Sequence, residues 1–207
     1  MATLPADISA PSRHRLTVAD YRRMGETGII AAKDRVELID GEIIDMSHIG
    51  SLHAALVRAI TKFLESRIGG IALLGVQDPL ALDDVSQPQP DITVLKSRQD
   101  FYSTAHPGSA DVLLVIEVAD TSLAFDLGVK VPLYAAHGIP EVWVIDAASR
   151  RTHRFRRPEG GRYAEQDVVE PTETLACGGA MAGREPLARV SLTLGSLLPL
   201  TTNGIGR

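Results

Sequence analysis

Residues 111–119 read Asp111-Val112-Leu113-Leu114-Val115-Ile116-Glu117-Val118-Ala119. An almost unbroken apolar run of this kind predicts a strand buried on both faces. Glu117 sits inside it, where an ionised carboxylate is costly unless it is paired or binds a cation. Upstream, Pro90-Asp91 heads a second short apolar run, Ile92-Thr93-Val94-Leu95. Downstream, Lys130 falls on a helix predicted from about 125 to 137. Two carboxylates at strand ends and one lysine are the parts of a metal-dependent site that cuts phosphodiester bonds.

The neighbouring stretches build a sheet around this strand. Residues 35–46 form two short strands about Asp40-Gly41, a strong hairpin signal. Residues 51–68 follow helical spacing, with Leu52, Ala55, Leu56, Ala59, Ile60, Phe63 and Leu64 on one face. Strands are expected near 71–77 and 91–95, joined by a polar, proline-rich link at 83–90. The helix at 125–137 stops at His137-Gly138, a suitable C-cap. Val142-Trp143-Val144-Ile145 is a further buried strand, and 150–157 and 162–169 make a hairpin about Pro158-Glu159-Gly160-Gly161. Thr17-Val18-Ala19-Asp20 reads as a capping box opening a short helix, and a last short helix is expected near 192–198. The order predicts an α/β domain, a mixed central sheet flanked by helices. The strands at 111–119 and 141–146 should be parallel across a right-handed crossover. Residues 1–15 read as a loose leader, 16–200 as the single domain and 201–207 as a flexible tail.

Composition sets outer bounds. The 207 residues suffice for one large domain, and 44% hydrophobic with 23% charged residues is an ordinary globular balance. Cys177 is the only cysteine, so no internal disulfide can form, which suits a reducing cytoplasm. The formal net charge of −5 opposes tight non-specific DNA binding. It does not exclude a nuclease, because an acidic metal site counts toward that total. No apolar run reaches the length of a membrane span, and the first ten residues lack the charged and apolar regions of a secretory signal. A cytoplasmic protein without membrane attachment is the expectation.

The order of several motifs resembles the Uma2 family of endonucleases, within the PD-(D/E)xK restriction-endonuclease-like superfamily. The matching stretches are Val36-Glu37-Leu38-Ile39-Asp40-Gly41-Glu42-Ile43-Ile44, His53, Pro90-Asp91-Ile92 and Val115-Ile116-Glu117-Val118-Ala119. They continue through Asp126, Lys130, Tyr134-Ala135, Gly138-Ile139-Pro140-Glu141 and Trp143-Val144-Ile145-Asp146. Together they span roughly residues 17–165, and their order and spacing are more specific than any one of them. The resemblance implies a restriction-endonuclease-like fold and Mg²⁺-dependent cleavage of nucleic acid, with DNA expected and Mn²⁺ as a substitute ion. It also implies that Glu37 points into the cleft and that His53 contacts phosphate or water. A homodimer would suit the cutting of a duplex, which needs two active sites or two events.

The chemistry follows from the residues as well. Mg²⁺ prefers oxygen ligands and keeps several waters, so Asp91, Glu117 and the carbonyl of Val118 would suffice to hold it. A nearby lysine orients the attacking water or offsets phosphate charge. The superfamily usually places that lysine two residues after the glutamate, where this chain has Ala119. Lys130 would fill the role if its helix lies over the site, as in the Uma2 pattern. Asp126, four residues earlier, would share its helix face. A second departure is His48, where the family usually has proline, which touches only the local loop.

Each residue also has a plainer reading. Glu117 could be a buried structural carboxylate paired with an arginine. Asp91 could be a turn residue, and Lys130 a solvated helix lysine. By strand alternation Glu37 could face solvent. His53 could be a packed histidine beside the apolar stripe, and Gln77 either strand filler or a cleft residue. Asp126 could simply pair with Lys130. The run Arg150-Arg151-Thr152-His153-Arg154-Phe155-Arg156-Arg157 could line a nucleic-acid groove with Phe155 stacking, or be a charged edge hairpin that deters aggregation. Two rivals to a nuclease follow. A nuclease-like scaffold would bind nucleic acid or protein without cutting, and an unrelated domain would leave Asp91 and Glu117 far apart.

Overall fold

The structure is a computed structural model that describes residues 13–176 and 190–197. Most of the expected leader, Cys177 and the expected tail at 201–207 lie outside the described residues. Helix α1 (Val18–Glu26) starts on the capping box, with the Thr17 hydroxyl accepting from the Asp20 N–H and Asp20 accepting from the Thr17 N–H. Strands β1 (Val36–Ile39) and β2 (Glu42–Asp45) pair antiparallel. Their turn is Asp40-Gly41, both with positive φ (55° and 79°), the mirror-image turn that matches strand twist. Helix α2 is Ser51–Ile68.

The central sheet follows from β3 (Ala72–Val76), β4 (Ile92–Lys96), β5 (Val112–Ala119), β6 (Glu141–Asp146), β7 (Thr152–Glu159) and β8 (Arg162–Val169). They lie side by side in that order. Only β5 and β6 are parallel, so the sheet is mixed as expected. The connection between them is helical: α3 (Leu123–Phe125), a π turn (Asp126–Lys130) and α4 (Val131–Ala136) run on without a break. The turn of the β7–β8 hairpin is Gly160-Gly161, both with positive φ, while Pro158 and Glu159 still pair within the ladder. Strands β9 (Leu175–Ala176) and β10 (Ser191–Leu192) form a short pair beside α5 (Leu194–Leu197).

All eight residues of β5 are buried, because apolar layers cover both sheet faces. On one face Leu114, Ile116 and Val118 pack with Leu56, Ile60 and Leu64 of α2. On the other, Val115 and Ala119 pack with Val131 and Tyr134 of α4. Alternation along a strand therefore turns Glu117 toward α4 rather than α2. Among the described residues, no helix is long and apolar enough to cross a membrane.

One expectation about packing needs correction. Leu52 is 37% exposed, and Val57, outside the predicted stripe, is buried. Next to Leu52 in the same first turn, His53 reaches Asp91 at the start of β4. The link at 83–90 is a loop, as expected, and Ser86 and Gln87 within it are buried. Its backbone holds the first hairpin, with the Gln87 N–H donating to the Leu38 carbonyl and the Gly41 N–H to the Val85 carbonyl.

Candidate active site

The β4–β5 register creates the site. Ile92 pairs with Ile116 in an antiparallel ladder, so Asp91, one step earlier, falls opposite Glu117, one step later. Residues opposite each other share a sheet face. The Asp91 N–H points at Glu117 Oε2 at 3.4 Å, and the Val118 N–H donates to Asp91 Oδ2 at 2.8 Å. The two carboxylates thus meet where the strands end.

Three further elements close around them. From α2, His53 Nε2 lies 3.0 Å from both oxygens of Asp91. A carboxylate only accepts, so Nε2 carries the proton; His53 Nδ1 is buried without a partner. After β3, Gln77 takes a positive φ of 55° and donates from Nε2 to Asp91 Oδ1 at 3.1 Å. From the π turn, Lys130 Nζ lies 3.0 Å from Glu37 Oε1 and 3.2 Å from Glu117 Oε1. The Tyr134 hydroxyl donates to that same Glu117 oxygen at 2.7 Å. A π turn widens the helix locally and often marks a functional site; this one buries both Asp126 and Lys130.

Glu37 does not face solvent. It is 1% exposed, because β1 is covered on one side by the 86–89 loop, whose Gln89 N–H donates to Glu37 Oε1. Asp126 forms no ion pair with Lys130; it accepts from the Ser122 hydroxyl at 2.6 Å. The widened turn and the two acidic partners draw the ammonium elsewhere.

The electrostatics are lopsided. Burial pushes the Glu117 carboxyl up to about 8; the Lys130 ammonium opposes this, and the charges of Asp91, Asp126 and Glu37 add to it. Burial likewise raises Glu37 and Asp126 above the usual carboxylate range. For Asp91 burial pulls upward too, but hydrogen bonds from His53, Val118 and Gln77 outweigh it and hold the carboxyl low. Burial disfavours the Lys130 ammonium, yet Glu117, Glu37 and Asp126 hold it charged.

Asp91, Glu117, Lys130, Glu37, His53 and Gln77 all line one cleft, together with Val118. Arg35, Met46, His48, Ile49, Asp120, Thr121 and Ser122 also line it. Tyr134 and Ser122 were not marked as site residues by the sequence. A tyrosine on an apolar helix face looks like core, and a serine before a helix looks like a cap.

Four arginines of the basic run are paired with acids. Arg154 is bidentate to Asp167, Arg156 meets Glu165, Arg157 meets Glu159 and Glu165, and Arg151 meets Glu170. Cross-strand acids on β8 offset its charge. Phe155 is not presented for stacking either: it packs on Tyr163 at 5.9 Å and against the α4-side core. Moreover β7 is an inner strand, so the hairpin's edge is β8.

A small hard cation fits this donor set. The carboxylates of Asp91, Glu117 and Glu37 line the cleft beside His53, Gln77 and Lys130, and Glu37 Oε2 is buried without a hydrogen-bond partner. Glu37 and Glu117 share the Lys130 ammonium. Among the described residues, no group of three or more His, Cys, Asp or Glu is arranged to hold a metal ion. Mg²⁺ does not require one, since it binds through one or two carboxylates and keeps several waters.

Comparison with known proteins adds two findings. A family model described as "Uma2: Putative restriction endonuclease" matches residues 18–191. The fold is similar to that of a solved structure from Anabaena variabilis, titled a putative nuclease belonging to DUF820, with a TM-score of 0.70 at 17% identity. The match covers 88% of this chain and 97% of that one. No curated protein matches the chain.

Proposed function

Because the chain belongs to the Uma2 family of restriction-endonuclease-like proteins, we propose that it is a Mg²⁺-dependent endonuclease that hydrolyses phosphodiester bonds in nucleic acid, with DNA as the substrate. The observation that carries this reading is the meeting of Asp91 and Glu117 at paired strand ends, in a cleft where carboxylates outnumber the single ammonium. Asp91, Glu117 and the backbone carbonyl of Val118 would hold the ion, and Glu37 would assist through water. When bound, a divalent cation polarises the phosphoryl group, lowers the pKa of water and offsets developing charge.

The chain's own residues do the rest. Lys130 anchors Glu37 and Glu117 and supplies fixed positive charge beside the attacked phosphate. His53 and Gln77 hold the Asp91 carboxylate in one orientation. Arg35 and His48, which also line the cleft, would face the anionic diester. Water attacks phosphorus and gives up a proton to solvent, the bond to the leaving oxygen breaks, and that oxygen takes a proton from solvent. Two copies acting together would cut both strands of a duplex, and the low cysteine count suits a reducing cytoplasm.

The alternative is a nuclease-like scaffold that binds without cutting. The donors already surrounding Asp91 and the Ala119 at the ordinary lysine position favour it. Cleavage of mixed single- and double-stranded DNA and RNA, with Mg²⁺, with Mn²⁺ and with chelator, separates the two. The nuclease cuts at least one substrate only with the ion; the scaffold, folded and metal-saturated, cuts none.

A further inference from the structure

Glu117 receives two donors on one oxygen. The Tyr134 hydroxyl lies 2.7 Å from Oε1 and Lys130 Nζ lies 3.2 Å from it. A carboxylate oxygen has two lone-pair directions, so Oε1 is filled. Oε2 faces only the Asp91 N–H, at a long 3.4 Å. One oxygen is turned to the helix and the other to Asp91. We propose that Tyr134 is a positioning residue, which holds Glu117 so that Oε2 is presented beside Asp91 to a divalent cation. This rests on the metal-dependent reading above.

Lys130 alone could not do this. Its ammonium is divided between Glu37 and Glu117, and three equivalent donors on a flexible stem impose little direction. The Tyr134 hydroxyl has one donor at the end of a rigid ring. That ring is fully buried, among Val115, Ala119, Ile139 and Val144. It is therefore aimed, and it is too deep to touch a substrate. Lys130 and Tyr134 are four residues apart, so the segment that fixes the charge also fixes the carboxylate's rotation. Partners that orient a ligand in this way are worth about 10–100-fold in metal affinity.

Tyr163 supplies the comparison. Its hydroxyl donates to the Ile139 carbonyl at 2.8 Å, and its ring joins the edge of the same apolar cluster without facing the cleft. The test is calorimetric titration of Mn²⁺ into the metal-free wild type, Tyr134→Phe and Tyr163→Phe, with melting curves in chelator to establish folding. The expected result is weaker binding by Tyr134→Phe, by about 10–100-fold, and wild-type affinity for Tyr163→Phe. A folded Tyr134→Phe that binds Mn²⁺ as wild type does overturns the proposal. Should Tyr134→Phe not fold, wild type carrying ¹³Cζ-tyrosine answers the question by NMR. The Tyr134 resonance should move as Mg²⁺ saturates while that of Tyr163 stays; a fixed Tyr134 resonance at saturation overturns the proposal. A wild type that binds neither ion overturns this inference together with the function it rests on, which distinguishes that failure from one confined to Tyr134.

Discussion

Lys130 Nζ stands 3.2 Å from Glu117 Oε1, although thirteen residues and a helical segment separate the two in the chain. The position two residues after Glu117, where the superfamily usually carries its lysine, is the fully buried Ala119. The cation reaches the strand from the π turn instead, and in doing so it bridges to Glu37 on the first hairpin. One ammonium thus ties three distant parts of the chain to one point.

Removing that cation should be costly. Lys130→Met leaves Glu117 and Glu37 buried without their common partner, and breaking a buried pair on one side costs about 3–5 kcal/mol. Urea denaturation in chelator is the measurement. A loss below about 1 kcal/mol, the scale of an exposed ion pair, would mean that the ammonium does not support the two carboxylates.

Glu37→Gln should separate stability from metal binding. The amide keeps an oxygen for Lys130 and for the Gln89 N–H, while the charge on the unpartnered oxygen is lost. Metal-free stability is expected to fall by less than in Lys130→Met, because Lys130 keeps Glu117 as its counter-charge. The rise in melting temperature on adding Mn²⁺ should be smaller than in wild type, since ligand stabilisation follows affinity. An undiminished rise would remove Glu37 from the cation's surroundings.

Much of this was legible in the sequence, and the misses have identifiable physical causes. The run Val112–Ala119 announced its own burial, and Asp40-Gly41 announced its turn. Asp91 and Glu117 stood out because a carboxylate among apolar residues requires a reason. Glu37 was open to misreading because alternation along a strand assumes one wet face, whereas a loop from residues 86–89 covers that face. Leu52 looked like core because a helical stripe does not reveal where along the helix its packing begins. The π turn has no periodic signature, so the division of Asp126 and Lys130 between different partners could not be read. The run at 150–157 left a groove and a charged edge hairpin both open; the acids that pair its arginines across the hairpin, Glu165 and Asp167, fall at spacings that appear only once the register is known.

The hairpin arginines should be dispensable for nucleic-acid binding. Arg154→Gln with Arg156→Gln removes charges already offset by Asp167 and Glu165. Few counterions would be released at such a surface, so the slope of affinity against salt should stay unchanged. Titrations of labelled DNA at several salt concentrations check this. A slope shallower by nearly two would mean that both arginines reach phosphates.

The turn after β6 carries a pH signature of its own. Burial raises the Asp146 carboxyl, but the Ser149 hydroxyl and the N–H groups of Ser149 and Ala148 outweigh it and hold the group low. A carboxyl depressed in the folded state adds stability above its unfolded value near 3.8, and loses it as pH falls through the folded value. Asp146→Asn should therefore be less stable near neutral pH by at most about 1 kcal/mol, given its partial solvent screening. The gap should close in acid below that range. A gap that persists there would mean that the charge is not what the turn uses.

The most direct test of the metal-dependent site is cleavage by wild type beside Glu117→Gln, at matched folding, in Mg²⁺ and in chelator. Wild type should cut nucleic acid only with the ion, and Glu117→Gln, which keeps the shape and loses the charge, should not cut in either. Cleavage by wild type that persists in chelator, or by Glu117→Gln at the wild-type rate, would contradict the account.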